Sequence, residues 1–188
     1  MDTEMKGFDR ASIPTILIPV IFPFALGKVF GFEPPWPDEP GYIAGFLDGL
    51  IIFICFSTPI IQKYKLRLRQ VIALFVCIIS MLTYFFLFAF FVYEEPTTGS
   101  KIVSGYACTA EAQYLISAGE ISGECPFLPS TALESAAYKP EAIWTSSSIR
   151  VVQLTFLIVW TLFFASATYG TAISYAHSQR KVRGRSNN

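Results

Sequence analysis

The sequence predicts an all-α membrane protein with four transmembrane helices and a disulfide-tied extracytoplasmic loop between the third and the fourth. Of its 188 residues, 53% are hydrophobic and only 15% are charged, which is more apolar than an ordinary soluble domain. Four stretches reach the roughly 20 mostly apolar residues that a helix needs to cross a bilayer. Basic residues gather in alternate connecting segments, and the two cysteines outside the apolar stretches lie in one long loop.

The four predicted helices form a single transmembrane domain, residues 1–188, and residues 94–150 form the extracytoplasmic cap loop. The predicted spans are residues 12–32, 41–61, 71–93 and 151–176. The first span contains Pro14, Pro19 and Pro23, which remove backbone donors and bend the helix, as either a gating hinge or a simple fitting of shape. Acidic residues before this span, and the lack of a small-residue cleavage site after it, favour a retained helix over a signal peptide.

The distribution of charge places both termini in the cytoplasm. The segment QKYKLRLRQ, residues 62–70, joins the second and third predicted spans, and cytoplasmic loops collect Lys and Arg. In this orientation the inside holds ten basic and three acidic residues, whereas the outside holds ten acidic and three basic residues. We expect the inside bases either to anchor the topology alone or to contact anionic lipid or a cytoplasmic protein partner. These bases are Lys63, Lys65, Arg67, Arg69, Arg180, Lys181, Arg183 and Arg185.

The cap loop contains Cys108 and Cys125, which an oxidising compartment would pair. Their pairing would remove about 3 kcal/mol of unfolded-chain freedom, and two free thiols are the alternative. The stretch TAEAQYLISAG predicts a short helix that stops at Gly119. Trp144, just before the fourth span, is predicted to lie at the bilayer interface, where indole rings are enriched. The cap is expected to serve as a recognition surface or as a stabilising lid.

Two ionisable residues fall inside predicted spans. Folding the first two spans into a hairpin puts Lys28 about one helical turn from Asp48, so we predict an intramembrane ion pair between them. In the alternative arrangement Lys28 extends its ammonium towards the headgroups, and Asp48 faces a wet crevice or caps a kink.

Small residues mark one face of the fourth span. Ser166, Gly170 and Ser174 recur at four-residue spacing, which lets helices approach closely. The partner of this face is either another span of the same chain or a second subunit. We favour a second subunit, because four spans alone enclose little space.

Residue types that carry enzyme chemistry are scarce. The sequence contains a single histidine, His177, and it has no glycine-rich phosphate loop. A zinc or di-iron site would need several histidines or paired carboxylates, and a serine or cysteine nucleophile would need a histidine base within reach. We therefore expect a protein that is not an enzyme, with no cofactor, no resident metal and no direct contact with nucleic acid.

In its plan the chain resembles the membrane component of the bacterial anti-phage defence system called Kiwa, and the resemblance covers topology and length. It implies a small four-span inner-membrane protein with both termini in the cytoplasm. It also implies a homo-oligomer that works with a cytoplasmic DNA-binding partner.

These observations favour a non-enzymatic, oligomeric scaffold or sensor of the inner membrane, with an outward-facing cap and inward-facing basic segments. A pore or channel subunit is the first alternative, in which the prolines of the first span, Asp48 and Lys28 would line a path between subunits. A membrane immunity protein, whose outer loop binds a toxin, is the second.

Overall fold

The computed structural model describes residues 34–36, 43, 45–51 and 66–186, with backbone only for residues 66 and 175–186. The first predicted span lies outside the described residues, as does most of the second. The same holds for Lys28, Lys63 and Lys65 and for the side chains of the four basic residues in the C-terminal tail. The predictions that concern these residues stay predictions.

The described chain is mostly helical, and residues 45–51 are helical as well. From residue 66 onwards the elements follow one another in a fixed order. They are α1 (Leu66–Phe91), β1 (Val92–Glu94), β2 (Lys101–Val103), α2 (Ala110–Ser117), α3 (Ser130–Ser135), α4 (Pro140–Ile143) and α5 (Ser146–Ser186).

Among the described residues, two helices are long and apolar enough to cross a membrane: α1 over Arg67–Phe91 and α5 over Ser146–Ser174. At about 1.5 Å per residue each exceeds the roughly 30 Å of a bilayer's hydrocarbon core. In their most apolar windows only 17% and 33% of the residues are buried, whereas a core helix of a soluble protein is mostly buried. Large side chains such as Phe75 and Leu82 are more than half exposed. Both helices therefore present apolar surface suited to lipid.

The third predicted span ends two residues later than α1, because Val92–Glu94 forms a strand instead of continuing the helix. The fourth predicted span lies within α5, which begins before it and continues beyond it. The helical character of both predicted spans is confirmed. The other two predicted spans fall wholly or mostly outside the described residues, so the four-span topology stays a prediction.

The described residues fall into two compact units, the first made of 43, 45–51, 66–81 and 160–186, and the second of 34–36 and 82–159. In the first unit α1 and α5 approach closely near Gly170, where an added Cβ would lie 3.7 Å from Cβ of Ala73. Ile173 and Phe164 of α5 are almost fully buried in this unit. The described part of the first unit buries the polar residues Asp48, Ser80 and Thr168 beside these apolar side chains.

The second unit contains the last turns of α1, the cap and the beginning of α5. Tyr84 and Phe156 are buried in it and meet edge to face, with ring centroids 5.6 Å apart. After α1 the chain turns back through an antiparallel hairpin in which Val92 pairs with Val103 and Glu94 pairs with Lys101. The hydroxyls of Thr97 and Thr98 donate to the carboxylate of Glu95 in the turn. This hairpin begins the cap directly where α1 stops.

Capping, glycine and proline residues set the ends of the short helices in the cap. Thr109 caps α2, its hydroxyl accepting from the backbone N–H of Ala112 at 3.2 Å. Gly119, with φ of +78°, takes the left-handed conformation just after this helix. Pro140 stands in the first turn of α4, where its missing N–H costs nothing. The predicted short helix with its stop at Gly119 is confirmed.

Candidate functional site

The cap has its own hydrophobic core, closed by a disulfide. Cys108 and Cys125 are bonded, with Cα atoms 6.2 Å apart and a sequence separation of 17, so the predicted pairing is confirmed. Eight buried residues form the core: Cys108, Ala112, Leu128, Ala132, Leu133, Ile143, Trp144 and Ile149. A covalent link and a shared core together make the cap a compact body rather than a loose connection.

Trp144 lies at the centre of this core. It is only 1% exposed, its backbone pairs with that of Cys108, and its ring centroid lies 5.9 Å from that of Tyr93. Its indole N–H donates to the carbonyl of Pro126 at 3.3 Å. The indole is enclosed by the cap and does not face headgroups, so its predicted depth at the bilayer interface stays a prediction.

Glycine and serine fasten the cap to the start of α5. A Cβ on Gly105 would lie 2.9 Å from Cβ of Trp144 and 3.1 Å from Cβ of Ser148, so only glycine fits there. The fully buried hydroxyl of Ser148 lies 3.1 Å from the carbonyl of Ala107. The backbone N–H of Thr145 donates to the same carbonyl at 2.9 Å. The chain around Gly105 is therefore held directly against the first turn of α5.

Tyr93 links the hairpin to the disulfide-tied turn. Its hydroxyl donates to the carbonyl of Leu128 at 2.7 Å. Burial raises the pKa of this hydroxyl above its ordinary value, so Tyr93 remains a protonated donor throughout the physiological pH range. The strand that follows α1 is thereby tied to the segment that follows Cys125.

The outer surface of the cap is acidic. Its acidic residues are Glu94, Glu95, Glu111, Glu120, Glu124, Glu134 and Glu141, against the bases Lys101, Lys139 and Arg150. All of the acidic side chains except Glu95 are exposed, and Glu95 is half-buried. Such a surface favours cations or a basic partner over anionic ones.

In the first unit, Asp48 is buried within the helical residues 45–51 and is 0% exposed. Thr168 of α5, which is 1% exposed, provides the side chain that interacts with its carboxyl group. Neither carboxyl oxygen makes a hydrogen bond of full geometry with any residue that the structure describes. The predicted partner of Asp48, Lys28, lies outside the described residues.

The small-residue face of α5 contacts α1 of the same chain at two of its three positions. Gly170 lies opposite Ala73, and Gln70 donates its amide N–H to the hydroxyl of Ser174 at 3.0 Å. The third, Ser166, donates to the carbonyl of Phe163 in its own helix. The spacing therefore serves close packing within the chain at Gly170 and Ser174. Sequence reasoning gave no role to Gln70 or Thr168, whose contacts cross between distant segments.

Arg67 and Arg69, the two predicted cytoplasmic bases whose side chains the structure describes, stand at the opposite end of α1 from the residue where the cap begins. Arg67 is exposed and Arg69 half-buried in the first turn of α1, whereas the hairpin follows its last residue, Phe91. No group of three His, Cys, Asp or Glu side chains suited to a metal ion occurs among the described residues. No protein-family model, curated protein or solved structure matches the chain.

If Asp48 and Lys28 form an ion pair, the variants Asp48→Asn and Lys28→Met should each destabilise the protein strongly. A lone buried charge costs about 3–5 kcal/mol when its partner is removed. The double variant should then lose much less than the sum of the two single losses. Thermal unfolding of detergent-purified protein measures all three variants. Strictly additive losses would remove the pair.

Proposed function

We propose that the protein is a non-enzymatic scaffold or sensor of the bacterial inner membrane, with the cap outside and both termini in the cytoplasm. In this proposal it assembles as a homo-oligomer and docks a cytoplasmic partner through its basic segments. The role in anti-phage defence rests on the resemblance in topology and length to the Kiwa membrane component.

One observation carries the proposal: α5 is a single helix from Ser146 to Ser186. Its first turn is fastened to the cap through Ser148, and its last turns contain the basic residues of the tail. The whole helix is about 60 Å long at about 1.5 Å per residue, which exceeds the roughly 40–45 Å of a bilayer with its headgroups. A helix of this kind suits a protein that links an outer surface to an inner one.

The cap supports the same proposal by its construction. Its disulfide, its buried tryptophan and the tight contact at Gly105 hold it in one arrangement against α5. A ligand that displaced the cap would therefore also displace the first turn of α5, because the two are held together. The acidic surface is the face on which such a ligand would bind.

Reversing two cytoplasmic charges, Arg67→Glu with Arg183→Glu, should abolish capture of the cytoplasmic partner. Charge pairs at an interface steer association and oppose wrong partners, so two reversals should weaken binding by about tenfold or more. The measurement is quantitative mass spectrometry of proteins that co-purify with the tagged chain from detergent-solubilised membranes. Phage plating on the same cells reports the defence role, which the variant should also lose.

The matched control is Lys139→Glu with Arg150→Glu, the same change of charge placed on two exposed bases of the cap. This control should keep the cytoplasmic partner. Capture that survives the Arg67 and Arg183 reversals would leave the bases as topology anchors only. Equal loss of partner capture in both double variants would mean that the net charge of the protein matters and that no specific docking surface is involved.

A pore or channel subunit is the second candidate, and the burial of Asp48 favours it. A carboxyl group inside a membrane-spanning region often marks an ion or proton path. The test is ion flux across vesicles that contain the purified protein. Flux that is present in wild type and lost in Asp48→Asn would favour a pore over a scaffold.

A further inference from the structure

An apolar groove lies where α1 ends and the cap begins. It has a volume of about 460 Å³. Ala89, Phe90 and Tyr93 line one side, and the segment from Ser122 to Pro129 lines the other through Phe127, Leu128 and their neighbours. Carbon atoms dominate the walls, and Ser122 and Gly123 supply the polar edge. All of these residues belong to the second unit, so the groove is a feature of that unit alone.

Phe127 is exposed because the fold holds it there. Its backbone pairs with Glu124 across a tight turn that contains the disulfide residue Cys125. The next residue, Leu128, is only 3% exposed, whereas Phe127 is 53% exposed. A large apolar ring fixed outward on a constrained turn indicates contact with an apolar medium or partner.

The ring of Phe127 continues the apolar surface of the membrane helix. Its centroid lies 5.4 Å from that of Phe90 and 5.9 Å from that of Phe91, the last residue of α1. The ring of Phe90 in turn lies 4.5 Å from that of Phe86. Phe86 is 57% exposed and Phe90 is 44% exposed, so the three exposed rings form one aromatic ridge of Phe86, Phe90 and Phe127.

The end of α1 sets the depth of this aromatic ridge. A helix that crosses the bilayer has its last turn near the boundary between hydrocarbon and headgroups, where aromatic rings collect. Lys101 reaches the same turn, with Nζ 5.1 Å from the centroid of the Phe88 ring, as expected of a cation at headgroup level. Phe127 therefore lies at a depth where the surrounding medium is phospholipid.

We propose that the groove binds an acyl chain of an outer-leaflet phospholipid, and that Phe127 inserts into the bilayer beside it. The cap is then seated on the membrane through its disulfide-tied turn. Continuity with the exposed rings of α1 is what identifies lipid as the occupant, since the groove opens onto the same surface. This inference rests on the membrane-spanning role of α1 in the proposed function, and the experiment separates the two.

The test introduces a tryptophan by Phe127→Trp in the full chain, reconstituted in phosphatidylethanolamine and phosphatidylglycerol vesicles. Matching vesicles have acyl chains brominated close to the headgroup or close to the methyl end. The native tryptophans give a background that is subtracted with the wild-type protein. The added tryptophan should lose more than half of its fluorescence, and bromine close to the headgroup should quench it more than bromine at the methyl end.

Two control variants show whether a negative result concerns the cap or the membrane helix. The tryptophan of Phe86→Trp, on α1, should be quenched strongly, whereas that of Tyr114→Trp, on the exposed face of α2, should keep its fluorescence. If Phe127→Trp behaves like Tyr114→Trp while Phe86→Trp is quenched, the seating of the cap on lipid is overturned and the membrane helix stands. If Phe86→Trp is also unquenched, α1 does not cross the bilayer, and the proposed function fails first.

The groove itself is tested by filling it. The variant Ala89→Phe puts a ring into the space, and Ala89→Ser is the control that leaves it open. Native mass spectrometry of detergent-purified protein should show one fewer retained phospholipid per chain in Ala89→Phe than in wild type or Ala89→Ser. The same number in all three proteins would overturn the assignment of the groove to lipid, as would a second copy of the chain in place of the missing phospholipid.

Discussion

Trp144→Ala should unfold the cap while α1 and α5 remain in the membrane. The indole is 1% exposed, contacts the ring of Tyr93 and donates to the carbonyl of Pro126. Its removal leaves a large cavity and takes away one of the two hydrogen bonds that this carbonyl accepts, the other coming from the N–H of Leu128. Replacing a buried tryptophan by alanine costs about 3–5 kcal/mol. This is a large share of the roughly 5–15 kcal/mol that holds a typical domain folded.

Limited trypsin digestion of the reconstituted protein measures this loss. Lys101, which is followed by Ile102, is a cleavage site within the cap, and folding protects the chain around it. We expect rapid cutting in Trp144→Ala and slow cutting in wild type. The matched control is Trp36→Ala, which removes a tryptophan that is 39% exposed and should leave the digestion rate unchanged. Equal rates in Trp144→Ala and wild type would mean that the core of the cap does not depend on the indole.

The two long apolar helices, α1 and α5, were predictable because hydrophobicity over a long window does not depend on tertiary contacts. The residues at which these helices begin and end were less predictable. Ser146–Arg150 reads as loop by hydropathy, yet these residues form the first turns of α5, where the hydroxyl of Ser148 lies near the carbonyls of Thr145 and Ala107. The helix also continues through the basic tail, which contains no proline to end it.

The cap shows where sequence reasoning stops. Two cysteines in one loop can form only one intramolecular disulfide, and the stretch TAEAQYLISAG with a glycine stop marks a short helix, so both features were found. The position of Trp144 depends on Cys108 and Pro126, which are distant in sequence. An indole beside a predicted span is equally typical of a bilayer interface. Gly105 gave no signal, because its closeness to Trp144 exists only in the fold.

For the small-residue face of α5, the sequence predicted close packing but not the partner helix. Four-residue spacing predicted close packing, since a small side chain permits a close approach in any partner. The same spacing does not specify which helix packs against this face. Gln70 and Ala73 of α1 decide this at Ser174 and Gly170, and neither belongs to a recognisable motif.

Removing the disulfide with Cys108→Ala and Cys125→Ala should destabilise the cap by about 3 kcal/mol, since the unfolded chain then regains the freedom of a 17-residue loop. The measurement is the trypsin digestion rate at increasing temperature, compared with wild type in the presence and absence of dithiothreitol. Reductant should shift wild type to the behaviour of the double variant and should leave the double variant unchanged. The control Cys77→Ala removes a free, half-buried thiol of α1 and should retain the full response to reductant.

The disulfide and the tryptophan stabilise the cap in different ways, and combining their variants separates them. The disulfide acts mainly by restricting the unfolded chain, whereas Trp144 acts by filling the folded core. The two are also neighbours, because the backbones of Cys108 and Trp144 pair directly. Contacting residues give non-additive losses, so the triple variant Cys108→Ala, Cys125→Ala, Trp144→Ala should lose less than the sum of its parts. A fully additive loss would mean that the disulfide and the core form independently, and the cap would then be two weakly coupled pieces rather than one body.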